Sequence, residues 1–170
     1  MDVAAFNALA DADARSLVAS WAAVPWWVDR IVSGRPYDTA AELADRASEL
    51  ASAWEGPDLD AAMAAHPRIG ERPAGDGRAA EASRREQAGM SGADPETAAA
   101  IAAGNAAYER RFGRIFLIRA AGRSPEEIVG ELHRRLTLEP AEEQGEAITQ
   151  LAEIAMARLR SAVAPEGTER

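Results

Sequence analysis

Apolar residues recur along this chain at spacings of three and four, the period of a helix with one buried face. Short helices are expected over 3–10 and 12–22, then an apolar helical turn from Trp26-Trp27-Val28 to Ile31. Thr39 and Glu42 form a capping box that opens a helix to about Trp54. Gly56-Pro57 should break it, and Asp58 should cap a short helix ending at His66. The end is set by Pro67, which disfavours helical geometry in the residue before it.

Residues 68–77 carry Gly70, Pro73, Gly75 and Gly77 and read as loop; helix then resumes to Ala88, with Gly89 as its stop. Asp94-Pro95 is an N-cap followed by proline at the first helical position, and that helix should reach Arg111 or Phe112. Phe116-Leu117-Ile118 is ambiguous between strand and buried extended chain. Ser124-Pro125-Glu126-Glu127 starts another helix, with Ile128, Leu132 and Leu136 on one row. Pro140 opens a last long helix through Ile148, Leu151, Ile154 and Leu159, and the tail after 164 should fray. No internal repeat or low-complexity linker interrupts the pattern. The expectation is an all-α fold, one domain over 1–170, built as a compact bundle of about seven to nine helices.

Composition sharpens this. At 170 residues the chain can bury roughly two thirds of its unfolded surface. The apolar content of 47% leans on alanine, so closely packed helices are expected. A net charge of −9 argues against general binding to nucleic acid, though not against a small anion met by local arginines. No stretch approaches the ~20 apolar residues that cross a bilayer. The start, Met1-Asp2-Val3-Ala4, lacks the features of a secretion signal, and Thr168-Glu169-Arg170 is not a peroxisomal address. A cytoplasmic location is the default expectation. The four tryptophans at 21, 26, 27 and 54 suit core or subunit packing better than base stacking in so acidic a chain.

Cysteine and lysine are both absent; all nineteen basic residues are arginine. That removes thiol nucleophiles, Schiff-base chemistry and the lysine of phosphate-binding loops. Proton transfer near neutrality would fall to histidine and carboxylates. His66 opens the run His66-Pro67-Arg68-Ile69-Gly70-Glu71 and is the main candidate, although a histidine at a helix end can simply cap it. His133 sits among charged residues and reads as surface. No second histidine stands at ligand spacing, so no metal site is expected. Ser83, Glu86 and Gln87 fall at i, i+3 and i+4, placing a hydroxyl, a carboxylate and an amide on one face. They suit a small polar ligand, or a mere capping box. Arg158 lies on the apolar row of Leu151 and Ile154, where a guanidinium either snorkels to water or pairs with an anion. Arg119, after Phe116-Leu117-Ile118, follows a segment that could offer its backbone to a ligand or could be a buried connector.

These segments, Ala65 to Glu71, Ser83-x-x-Glu86-Gln87-x-Gly89, Tyr108-x-x-x-Phe112-Gly113, Phe116-Leu117-Ile118 with Gly122-Arg123-Ser124, then Glu153 and Arg158-Leu159, occur in one order. The chain resembles, from about residue 5 to 162, the 2-oxo-4-hydroxy-4-carboxy-5-ureidoimidazoline (OHCU) decarboxylases of urate degradation. The resemblance implies an all-helical, cofactor-free, usually dimeric enzyme of purine metabolism. It would turn OHCU into (S)-allantoin and carbon dioxide, with no nucleic-acid or membrane partner. It places catalysis on His66, helped by Glu86. Substrate contacts fall to Pro67, Ser83, Glu86, Gln87 and Arg158, and to the segment Ile118, Arg119, Ala120 and Ala121. Two departures stand beside the expected pocket wall: Arg114-Ile115 where many relatives have Phe-Pro, and Arg119 where many have cysteine. The competing readings are a non-catalytic helical interaction module and a related ureide-processing enzyme. The second is disfavoured by the lack of a metal cluster or nucleophile–base pair.

Overall fold

The computed structural model describes residues 1–64, 66–71 and 77–164. Among them run nine α-helices, one 3-10 helix and no strand, in agreement with the all-α expectation. In chain order they are α1 (Val3–Asn7), α2 (Asp11–Trp21), α3 (Pro25–Ser33), α4 (Ala40–Ala51), α5 (Gly56–Met63), α6 (Arg78–Glu86), a 3-10 helix (Ala88–Gly92), α7 (Pro95–Phe112), α8 (Pro125–Arg135) and α9 (Pro140–Ala162). No helix among the described residues is long and apolar enough to cross a membrane. The tail from 165 lies outside the described residues.

Several helix starts follow their caps. Thr39 Oγ1 accepts from the Glu42 amide at 3.0 Å, and Asp94 Oδ1 accepts from Glu96 and Thr97. Ser124 and Glu127 complete a reciprocal capping box. Several boundaries differ from expectation. Helix α4 ends at Ala51, ahead of Gly56-Pro57, and that pair opens α5 in place of Asp58, because proline needs no amide partner in a first turn and Asp58 reaches back to the Glu55 amide at 3.0 Å. Helix α5 then ends at Met63, ahead of His66. Gly89 is no stop either: α6 closes at Glu86, and Gly89 lies within the 3-10 helix.

The chain divides into two compact units, one of residues 1–62 with the stretch from 152 onward, the other of residues 63–151. In the first, Phe6, Trp21, Trp27, Ile31, Leu43 and Leu59 are buried, along with Ile154 and Leu159 of α9. Trp27 stacks edge-on against Trp54 at 5.3 Å, and its indole donates to the Ala47 carbonyl. Core packing is therefore the use made of Trp21, Trp27 and Trp54, while Trp26 is half-buried and donates to Asp58 at 2.8 Å.

The second unit, which holds the histidines, is built on a core of Ile69, Ile101, Tyr108, Phe116, Ile118, Ala120, Ile128 and Leu132. Helices α7 and α8 meet closely at Gly104, where a Cβ would stand 2.4 Å from Leu132 Cδ2. Phe116-Leu117-Ile118 is buried but is neither helix nor strand.

Candidate active site

His66 leaves the end of α5 with its amide donating to the Met63 carbonyl at 3.1 Å, and both His66 and Pro67 are half-buried. A tight turn follows, closed by the Glu71 amide on the Arg68 carbonyl, with Gly70 at φ 83°. Glycine is required there: the backbone is left-handed, and a Cβ would lie 3.3 Å from Ile101 Cγ2.

The turn is held from two helices. From the end of α6, Gln87 Oε1 accepts from the Gly70 amide at 3.0 Å, and its Nε2 donates to the Arg68 carbonyl at 3.4 Å. From α7, buried Asn105 donates to the Ile69 carbonyl at 2.9 Å, and Glu109 takes a two-pronged ion pair from Arg68 at 2.5 and 3.0 Å. Hydrogen bonding to Arg68 holds the Glu109 carboxyl below its ordinary value, and the same contact raises the Arg68 guanidinium. A pocket of about 250 Å³ runs between this turn and α7, but its lining includes none of His66, Ser83, Glu86 or Gln87.

The capping-box alternative for Ser83 and Glu86 fails. The N-cap of α6 is Gly77, so Ser83 lies inside the helix, where it is buried, while Glu86 and Gln87 are half-buried at its end. Gln87 ties that end to the loop opened by His66. The 3-10 helix continues the path toward the third segment, with the Cβ position of Gly89 3.6 Å from the Arg123 carbonyl. The structure thus gathers three predicted segments within the second unit: the His66 loop, the end of α6, and the chain around 118–123.

In that last segment Ile118 and Ala120 are buried, whereas Arg119 and Ala121 are exposed. Arg119 donates its amide to Gln150 Oε1 at 2.9 Å, and the Ala120 carbonyl accepts from Arg123 in a turn that places Gly122 at φ 84°. Those two backbone groups already serve the fold. Arg158 belongs to the first unit, on α9, where it is 7% exposed and donates to the Ser20 carbonyl at 3.1 Å. His133 is exposed near the end of α8, as expected of a surface residue. Among the described residues no three His, Asp or Glu side chains gather as metal ligands do.

Sequence reading missed a buried network beside the site. Arg135 and Glu143 are both fully buried and paired, with the Tyr108 hydroxyl donating to Glu143. Arg135 also donates to the Leu117 carbonyl at 2.6 Å and lies 5.0 Å over the Phe116 ring, so it pins the extended segment. Burial raises the Tyr108 hydroxyl well above its ordinary value, which keeps it a donor. Arg114, one of the two departures, adds its guanidinium to the same carboxylate at 3.4 Å and to Gln144. The signal was available: Arg135 falls seven residues after Ile128, and Glu143 four before Ala147, each on an apolar row as Arg158 is.

Comparison with known proteins matches this architecture. A curated protein of Amia calva, a 2-oxo-4-hydroxy-4-carboxy-5-ureidoimidazoline decarboxylase, is 32% identical over 133 residues, covering 77% of this chain and 76% of its own. An OHCU decarboxylase crystallised in the presence of (S)-allantoin superposes with a TM-score of 0.71 at 22% identity, over 84% of this chain and 93% of that one. An (S)-allantoin synthase gives 0.69 at 15% identity over 96% of this chain, which spans 54% of that longer one. The model of the OHCU decarboxylase family matches residues 7–160, and the chain belongs to that family.

Proposed function

We propose that this protein decarboxylates 2-oxo-4-hydroxy-4-carboxy-5-ureidoimidazoline to (S)-allantoin, as a carboxy-lyase of urate degradation without a cofactor. The observation that carries the reading is the family match over residues 7–160, which contains every residue given a role below. The bond from the ring carbon to the carboxylate breaks, and carbon dioxide leaves. The electron pair passes into the imidazoline ring, and a proton is delivered to one face of the carbon.

His66 is the proton-exchanging group, acting on the substrate hydroxyl or the nascent carbanion; a well-placed acid–base group contributes about 10²–10⁴ in rate. Glu86 bonds the same centre and holds His66 in its working state. Pro67 and Ser83 shape and hydrogen-bond the ligand, and the chain from Ile118 through Arg119 and Ala120 to Ala121 presents backbone to it. Arg158 recognises its carboxylate or ureide, a task suited to the guanidinium fork. Gln87 is assigned two tasks, since Nε2 carries a second hydrogen beyond the one it gives to Arg68 and can offer it to the ureide. The 170 residues act as one domain, in a cytoplasmic homodimer.

The test generates the substrate in place from urate with urate oxidase and hydroxyisourate hydrolase, adds chelator-treated protein, and follows circular dichroism of the product. Rapid formation of (S)-allantoin is expected. A folded protein that leaves only slow racemic allantoin would return the chain to a non-catalytic helical module. His66→Asn, folded, should lose at least about 10²-fold in kcat, and normal turnover would remove His66 from its role.

A further inference from the structure

Residues Ile101, Asn105 and Glu109 stand at i, i+4 and i+8 on α7, a single row along the helix. Each meets a successive part of the turn that follows His66. Ile101 packs in one core cluster with Ile69 and closes on Gly70. Asn105 donates to the Ile69 carbonyl, and Glu109 clamps the Arg68 guanidinium. The central contact differs from its neighbours in burial: Asn105 is 7% exposed, while the Arg68 and Glu109 side chains are 44% and 30% exposed. Water competes for the outer ion pair and hardly at all for the amide bond.

We propose that Asn105 is a positioning residue for the decarboxylation. By fixing the backbone three residues beyond His66, it sets where the imidazole stands. The proposal rests on the function assigned to His66 above. Asn105 touches no reacting atom; it acts through the Arg68-Ile69-Gly70 backbone, which Gln87 grips from α6.

Asn105→Asp turns an acceptor toward the Ile69 carbonyl, and Asn105→Ser withdraws the donor without adding charge. For variants shown to be folded, kcat should fall about 10- to 100-fold while KM changes less than about twofold, since an ångström of misplacement costs on that order. A second readout is independent of turnover. The chain has two histidines, so long-range proton–nitrogen spectra give two imidazole patterns, with exposed His133 as an internal reference. The His66 signals should move in both variants and those of His133 should not. Unmoved His66 signals would overturn the proposal, as would wild-type kcat in an active enzyme. If the protein proves to have no decarboxylase activity, the imidazole signals still decide whether Asn105 positions His66. Should neither variant fold, the Asn105 side-chain amide protons of the wild-type protein decide it: slow exchange is expected, and exchange as fast as in a surface asparagine overturns the proposal.

Discussion

Single residues carry most of what is unusual here, and they share a placement. Asn105, Arg135, Glu143 and Arg158 are polar or charged side chains buried on apolar helix rows. For Arg135 and Glu143 the burial is complete, so desolvation is offset only while the partners remain together. Glu143→Gln leaves two guanidiniums facing a neutral amide and should destabilise the fold by about 3–5 kcal/mol, read from urea unfolding. Replacing Arg135 and Glu143 together with methionines should recover much of that loss. A Glu143→Gln variant as stable as wild type would show that the pair is open to water.

At the scale of elements, one strap between α8 and α9 is partly exposed and pH-dependent. Arg134 on α8 bridges Glu131 on its own helix and Glu146 on α9. Hydrogen bonding to Arg134 is the main reason that both carboxyls titrate below their ordinary value. A carboxylate depressed in the fold adds stability above its unfolded pKa, and that share disappears as pH falls through the lower native value. Arg134→Met should therefore destabilise most near neutrality, by about 1 kcal/mol or less given solvent screening. The difference from wild type should shrink to nothing in acid, once both carboxylates are protonated. Denaturant titrations at several pH values would show this, and a difference that does not change with pH would mean Arg134 acts through packing.

For the molecule as a whole, the two compact units make the one-domain proposal testable. All four tryptophans lie in residues 1–62, so their fluorescence reports one unit, whereas far-ultraviolet dichroism reports helices of both. Coincident thermal transitions by the two probes are expected of a single cooperative domain; separated transitions would contradict it.

The sequence by itself determined what is local. Thr39, Asp94 and Ser124 announce their helices because a cap bonds amides two or three residues away, and the apolar rows follow from the helical period. The ordered motifs pointed to the family for the same reason, since each is legible within a few residues. Only the tertiary structure decided which element each buried polar group would meet. Gln87 bonds Gly70, Asn105 bonds Ile69, and Arg135 meets Glu143 and Leu117 through chain closures that no local pattern encodes. Periodicity could show that Arg135 faces inward, yet the partner that makes its burial tolerable is chosen by the packing of distant segments. Caps and rows are short-range physics, whereas compensation of buried polarity is settled by the fold.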